Sequence, residues 1–322
     1  MPDEGIKLET NNIRYRYPWG NEQRYYSYTQ YIRQLFGGRV QKLTIDAGFS
    51  CPHRQGRAGS GGCTYCNNAT FSPSFALQPG SITQQLERGI DFFRHKYPHM
   101  RYLAYFQSYT ATYGEAEQLI ALYEEAARFP GVVGLVIGTR PDCMPEVLLD
   151  YFSDLSRRCF VLIEYGIEST LDRSLEYIRR GHSWQCSLET IKATHEAGLP
   201  VGAHLILGLP GETRREMLDH ALRLNDLPLS LVKLHQLQIV RHTIMAHQYQ
   251  TNPEQFHLFT AEEYAELCLD FLALLREDIV VDRFVAQSPP SLLIAPQWNI
   301  KNYAFMDLLR KKAQLRDREK TV

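Results

Sequence analysis

The stretch GFSCPHRQGRAGSGGCTYCNNATF, residues 48–71, holds Cys51, Cys63 and Cys66, three of the chain's seven cysteines, within sixteen residues. Their spacing is C-x11-C-x2-C. Cys63 and Cys66 can turn their sulfurs to one centre, and Gly56, Gly59, Gly61 and Gly62 let the loop between bend to bring Cys51 there. A structural zinc site takes four closed ligands, usually from paired C-x2-C knuckles; here only His53 stands nearby as a fourth, which keeps zinc as the plainer alternative. An iron–sulfur cluster on three thiolates has one iron without a protein ligand, open to a substrate or cofactor.

The triplet directly follows a strand-like run, VQKLTID (40–46). Five more runs follow at intervals filled by amphipathic segments: YLAYFQ (102–107), VVGLVIG (132–138), FVLIEYG (160–166), VGAHLILG (201–208) and SLVKLHQLQ (230–238). Such alternation predicts βαβ units and a parallel sheet. In β/α barrels the loops after the strands form the reactive face, which is where the cysteines fall. The expected class is therefore α/β, with a core over 40–240, an N-terminal extension over 1–39 and a C-terminal extension over 241–322. Within the last, DIVVDRFVA (278–286) is expected to add a strand at the open edge.

Helix starts are visible as capping boxes at Ser81/Gln84, Thr213/Glu216 and Thr260/Glu263, and Pro145 suits a first helical position. Tyr264, Leu267, Cys268, Phe271, Leu272 and Leu275 share one face of a further helix.

Lys plus Arg (35) balance Asp plus Glu (36), so no global field draws the chain to a polyanion. The polar N-terminus and the lack of a run approaching ~20 apolar residues predict a cytoplasmic protein with reduced thiols. Arg14, Arg16, Arg24, Arg33 and Arg39 interleave with aromatics, a pattern that can track nucleic acid, although packing of the tyrosines along the barrel is the favoured reading.

Taken together, the triplet after strand one, Tyr65 just before its last cysteine, and the phrases KLTIDAGFSCPHRQG, YFQSYTATY, GTRPDCMP and HLILGLPGET resemble the radical S-adenosylmethionine (radical SAM) superfamily. The x11 gap is similar to that of its elongator catalytic-subunit-like group, and the phrases to a YhcC-like branch; the resemblance spans about residues 26–300. It implies a partial (β/α)6 barrel holding a 4Fe-4S cluster on Cys51, Cys63 and Cys66. S-adenosylmethionine would chelate the free iron and be cleaved on reduction to a 5′-deoxyadenosyl radical that abstracts hydrogen from substrate. An external electron donor, flavodoxin- or ferredoxin-like, is implied with it.

By the same resemblance Tyr65 accompanies the cluster, and Gln107 and Ser108 replace the superfamily's Gly-Gly-Glu at the end of strand two. Thr139 and Arg140 top strand three; Glu164, Glu168 and Ser169 face the cofactor's ribose, Arg180 its carboxylate, and Gly208 and Gly211 its adenine. Cys143 is a candidate hydrogen donor to a substrate radical, and His235, beside Lys233 and Gln238, a candidate substrate contact or proton carrier. Cys159, Cys186 and Cys268 are scattered, so no auxiliary cluster is expected. The expected function is a radical SAM enzyme. The alternatives are tRNA modification by the same chemistry and a non-catalytic, metal-stapled regulatory protein.

Overall fold

A computed structural model describes residues 17–21, 23–53, 62–70, 80–95, 97 and 100–319. Arg14, Arg16 and Gly56, Gly59 and Gly61 of the cysteine loop lie outside the described residues.

In chain order the elements are α1 (Tyr28–Phe36), β1 (Val40–Ile45), α2 (Ile82–Arg94), β2 (Arg101–Phe106), α3 (Ala116–Ala127) and β3 (Val132–Thr139). There follow α4 (Glu146–Ser156), β4 (Phe160–Glu168), α5 (Asp172–Tyr177), α6 (Trp184–Glu196), β5 (Val201–Leu207), α7 (Arg214–Asn225) and β6 (Leu231–Gln236). The C-terminal part contributes β7 (Ile239–Val240), α8 (Ile244–Thr251), α9 (Ala261–Leu274), β8 (Val280–Arg283), β9 (Leu293–Ala295) and α10 (Asn302–Glu319).

Seven strands form one parallel sheet in the order β1-β2-β3-β4-β5-β6-β8, curled into a partial barrel. All six expected strands are present, and the run at 278–286 does supply a seventh, β8, paired parallel to β6. The three capping boxes close as read, at Ser81, Thr213 and Thr260. Pro145 is the N-cap of α4 rather than its first helical residue, because its ψ of 149° is extended. Tyr264, Leu267, Cys268 and Phe271 are buried where α9 lies between α7 and α10.

Alternation along the strands sorts the side chains into two faces. Outward residues such as Leu43, Phe106, Ile137, Ile163 and Leu205 pack under the helices in the main core. Inward residues form layers. Leu103, Val136, Leu162, Leu231 and Val280 make an apolar floor, plugged by Ile32 of α1 and by the tyrosines around it. Two residues further along their strands come Tyr105, Glu164, Lys233 and Asp282, and above these the barrel opens.

The N-terminal segment also closes the seam between the sheet's edges. Ser27 bridges to Val281, whose amide donates to the Tyr26 carbonyl at 2.8 Å. Tyr17, Trp19 and Tyr26 stack in series, Tyr25 meets Phe284 edge-on, and Arg24 is paired with Asp317. Over its described residues the aromatics of this stretch and Arg24 pack on the protein, while Arg33 and Arg39 are exposed.

Candidate active site

A cavity of about 190 Å³ opens at the C-terminal ends of the strands. Cys51, Cys63 and Cys66 line it together. The C-x2-C pair sits in a turn closed by the Cys66 amide donating to the Cys63 carbonyl at 3.1 Å. Thr64, between them, is pinned on both sides: its amide donates to Ile178 O at 3.0 Å and its carbonyl accepts from Met245 N at 2.8 Å. Gly62, at φ +79°, takes the left-handed turn leading into the pair. His53 is buried, with Nε2 2.9 Å from the Arg180 carbonyl, so that nitrogen is engaged away from the thiols.

Among the described residues no three His, Cys, Asp or Glu side chains converge as a single-ion ligand set. The three thiols line one mouth, and His53 is engaged with the Arg180 carbonyl instead of joining them. Arg180 Nη1 lies 3.6 Å from Cys63 Sγ, placing positive charge where thiolate would need it.

Arg180 is held by the backbone. Its Nε and Nη2 donate to the Gly166 carbonyl at 3.2 and 2.5 Å, and Glu168 lies 3.5 Å from Nη2. The strand end that offers Glu168 is distorted: β4 carries a bulge between Gly166 and Glu168, and Glu168 stands at φ +66°. A non-glycine residue there costs about 1–3 kcal/mol, and such strain collects at functional sites.

Arg140, just past the end of β3, is fully buried, its Nε and Nη2 donating to Asp142 at 2.9 and 2.8 Å while Nη1 is buried without a partner. Thr139 is fixed by the Thr112 hydroxyl at 2.5 Å. Thr139, Arg140, Gln107 and Tyr65 all line the cavity with the thiols.

Below the opening, charge is concentrated in one layer. The buried Glu164 carboxylate accepts from Lys42 Nζ at 3.0 Å, from Lys233 Nζ and from His204 Nε2 at 3.2 Å. Asp282 takes Lys42 at 2.8 Å and Lys233 at 3.1 Å. Lys233 also donates to the Tyr105 hydroxyl at 3.0 Å. Burial would raise Glu164, but the two lysines overcome this and hold it well below the usual carboxylate range. Burial, with Lys42 beside it, brings Lys233 down to about 8.

Not every expected residue reaches the cavity. Ser108 is buried off it. Ser169 turns away: its hydroxyl donates to Glu212 at 2.6 Å, Glu212 meets His220 at 3.2 Å, and His220 meets Thr170 at 2.7 Å, bracing the strand-four loop from behind. Gly208 packs near Phe259, and Gly211, whose carbonyl accepts from Arg173, also stands apart. Cys143 is half-buried beside the site; burial, then the neighbouring Asp142, pushes its thiol up to about 12, so it carries its hydrogen. His235 does line the cavity, with Lys233 one layer beneath.

His204, Asp282 and Arg283 were not anticipated. The available signal was an ionisable residue inside an otherwise apolar strand, as in VGAHLILG and DIVVDRFVA.

Burial, with Lys233 for His204 and with Arg283 for His235, holds both imidazoles below their ordinary value. Unfolded histidines take up protons near pH ~6.5, which these two refuse when folded. Stability should therefore be level above that pH and fall as pH drops through it, by up to about 1.4 kcal/mol per unit for each group. Urea unfolding at pH 7.5 and 5.5 tests this; an equal loss in the wild type and in His235→Gln would count against it.

A curled parallel sheet with its open face at the strand ends defines a class, and the chain belongs to it. Residues 53–224 match the radical SAM superfamily and residues 229–314 the radical SAM C-terminal domain, so this is a radical SAM enzyme, of a family whose members bind a 4Fe-4S cluster and S-adenosylmethionine. It is 30% identical to YtqA of Bacillus subtilis (strain 168) over 301 residues, covering 93% of each chain. It is 36% identical to YhcC of Escherichia coli (strain K12) over 268 residues, covering 83% of this chain and 85% of that one. In fold it is similar to the archaeal Methanocaldococcus infernus Elp3 with an N-terminal deletion, at a TM-score of 0.66 and 16% identity, over 86% of this chain and 63% of that one. Among the described residues no helix is long and apolar enough to cross a membrane.

Proposed function

We propose that Cys51, Cys63 and Cys66 hold one 4Fe-4S cluster and that S-adenosylmethionine binds beside it in the same cavity. The observation that carries this is the joint lining of one opening by the three thiols, Arg180, Arg140 and Glu168. When bound there, the pair would supply reductive cleavage of the sulfonium to a 5′-deoxyadenosyl radical for hydrogen abstraction from substrate.

The protein's part is placement. Arg180, locked on Gly166, offsets thiolate charge. Arg140 offers Nη1, its unpartnered buried donor, to an anionic group such as the cofactor's carboxylate. Glu168, projected by the strained strand end, suits hydroxyl or ammonium groups. Tyr65 and Gln107 complete the wall, while Ser108, Ser169, Gly208 and Gly211 shape loops behind it. Cys143, a neutral thiol beside the cavity but off its lining, is the proposed hydrogen donor to a substrate radical. A flavodoxin- or ferredoxin-like protein is proposed as the electron donor, and a cytoplasmic setting suits both the reduced thiols and such a donor.

Protein reconstituted without oxygen should contain about four irons per chain. Its reduced electron paramagnetic resonance spectrum should change on adding S-adenosylmethionine, and reductant should release 5′-deoxyadenosine. An intact cluster that neither responds to the cofactor nor cleaves it would overturn the proposal.

A further inference from the structure

The β6–β8 wall of the cavity holds a guanidinium that the cofactor contacts proposed above do not use. Arg283 ends β8 and lines the cavity beside His235, Gln238 and Ser288. Its Nε is buried without a hydrogen-bond partner. Both carboxylates that line the cavity are committed elsewhere, Glu164 to Lys42, Lys233 and His204, and Glu168 to Arg180. Asp282, its neighbour in sequence, is turned into the charged layer toward Lys42 and Lys233. What Arg283 does meet is His235, with Nη2 3.2 Å from the imidazole Nε2. That ring is neutral at physiological pH, so Nε2 accepts and leaves the guanidinium charge uncompensated.

A buried donor left unsatisfied is costly, more so on a charged group, and in a native protein it calls for a ligand or another explanation. An oxyanion fits: guanidinium binds carboxylate and phosphate through parallel N–H donors, and Gln238 Nε2, which gives one hydrogen to the Ala286 carbonyl, keeps a second, while Ser288 spends its hydroxyl hydrogen on Gln238 Oε1. We infer that Arg283 binds an anionic group, carboxylate or phosphate, on the substrate of this enzyme. This names the substrate class of the site proposed above and rests on that reading.

The test is a calorimetric titration of the reconstituted protein, saturated with S-adenosylmethionine so that the cofactor's own anion site is filled. Malonate and inorganic phosphate are the probes, used separately at constant ionic strength. One of them should bind the wild type saturably, and the tighter of the two identifies the anion. Arg283→Gln should weaken that binding at least tenfold, Arg283→Lys less, and both should keep the spectral response to S-adenosylmethionine. Three results would overturn the inference: equal binding in the wild type and Arg283→Gln, no saturable binding of either anion, or loss of the cofactor response in Arg283→Gln. Should no cluster assemble, the same titrations on cluster-free protein still compare wild type with Arg283→Gln, so failure of the cofactor proposal is read separately from failure of this one.

Discussion

Cys63→Ala is expected to reduce bound iron from about four per chain to a small fraction and to bring 5′-deoxyadenosine formation to background. Cys63 is the buried member of the triplet, held in the turn it shares with Cys66 and faced by the Arg180 guanidinium. Without its thiolate two protein ligands would remain, too few to hold a cubane firmly against loss of iron. Cys51→Ala and Cys66→Ala should behave alike. Cys268→Ala, changed inside α9, should keep its iron, which separates loss of a ligand from general damage. Iron and sulfide counts with far-ultraviolet circular dichroism decide it. A Cys63→Ala protein that keeps a full cluster would move the cluster off this triplet.

The second large effect lies one layer below. Glu164→Ala should cost about 3–5 kcal/mol of folding stability, because it strips a buried ion cluster of a carboxylate and leaves uncompensated charge. Lys42, Lys233 and His204 all turn to Glu164, and afterwards Asp282 alone would face two lysines. Replacing Lys233 by methionine in the same protein should recover part of the loss, since the surviving Lys42 and Asp282 balance. Urea denaturation of both proteins measures this. A loss below about 1 kcal/mol would mean that water already reaches the layer and screens it as it does a surface pair.

The sheet was legible because each strand announces itself locally: six short β-branched or aromatic runs recur at βαβ spacing, and a seventh in DIVVDRFVA falls where the edge needed covering. The thiols were legible for the same reason, lying within one short loop. The charged layer was not. Glu164 reads, from its neighbours in sequence, as a cofactor contact; its carboxylate reaches the cavity floor but is taken by residues 42, 204 and 233. Those partners become neighbours only when the sheet curls, so no window of sequence contains them. Ser169 marks the opposite case. The phrase around it matches the superfamily, but a hydroxyl one residue past the strained Glu168 turns outward, toward Glu212 and His220.

The floor of the barrel has a consequence for how the chain is made. α1 and the segment before it precede every strand of the sheet in sequence, but they seat against Val280 and Val281 of β8, the last of its seven strands. Contacts of such long sequence separation close late and slow folding. α1 must therefore wait to seat in the barrel's base until β8 has emerged. During that interval β1 and the loop carrying the cysteines already exist while the barrel's base stands open, so a nascent chain exposes those thiols before its base is closed.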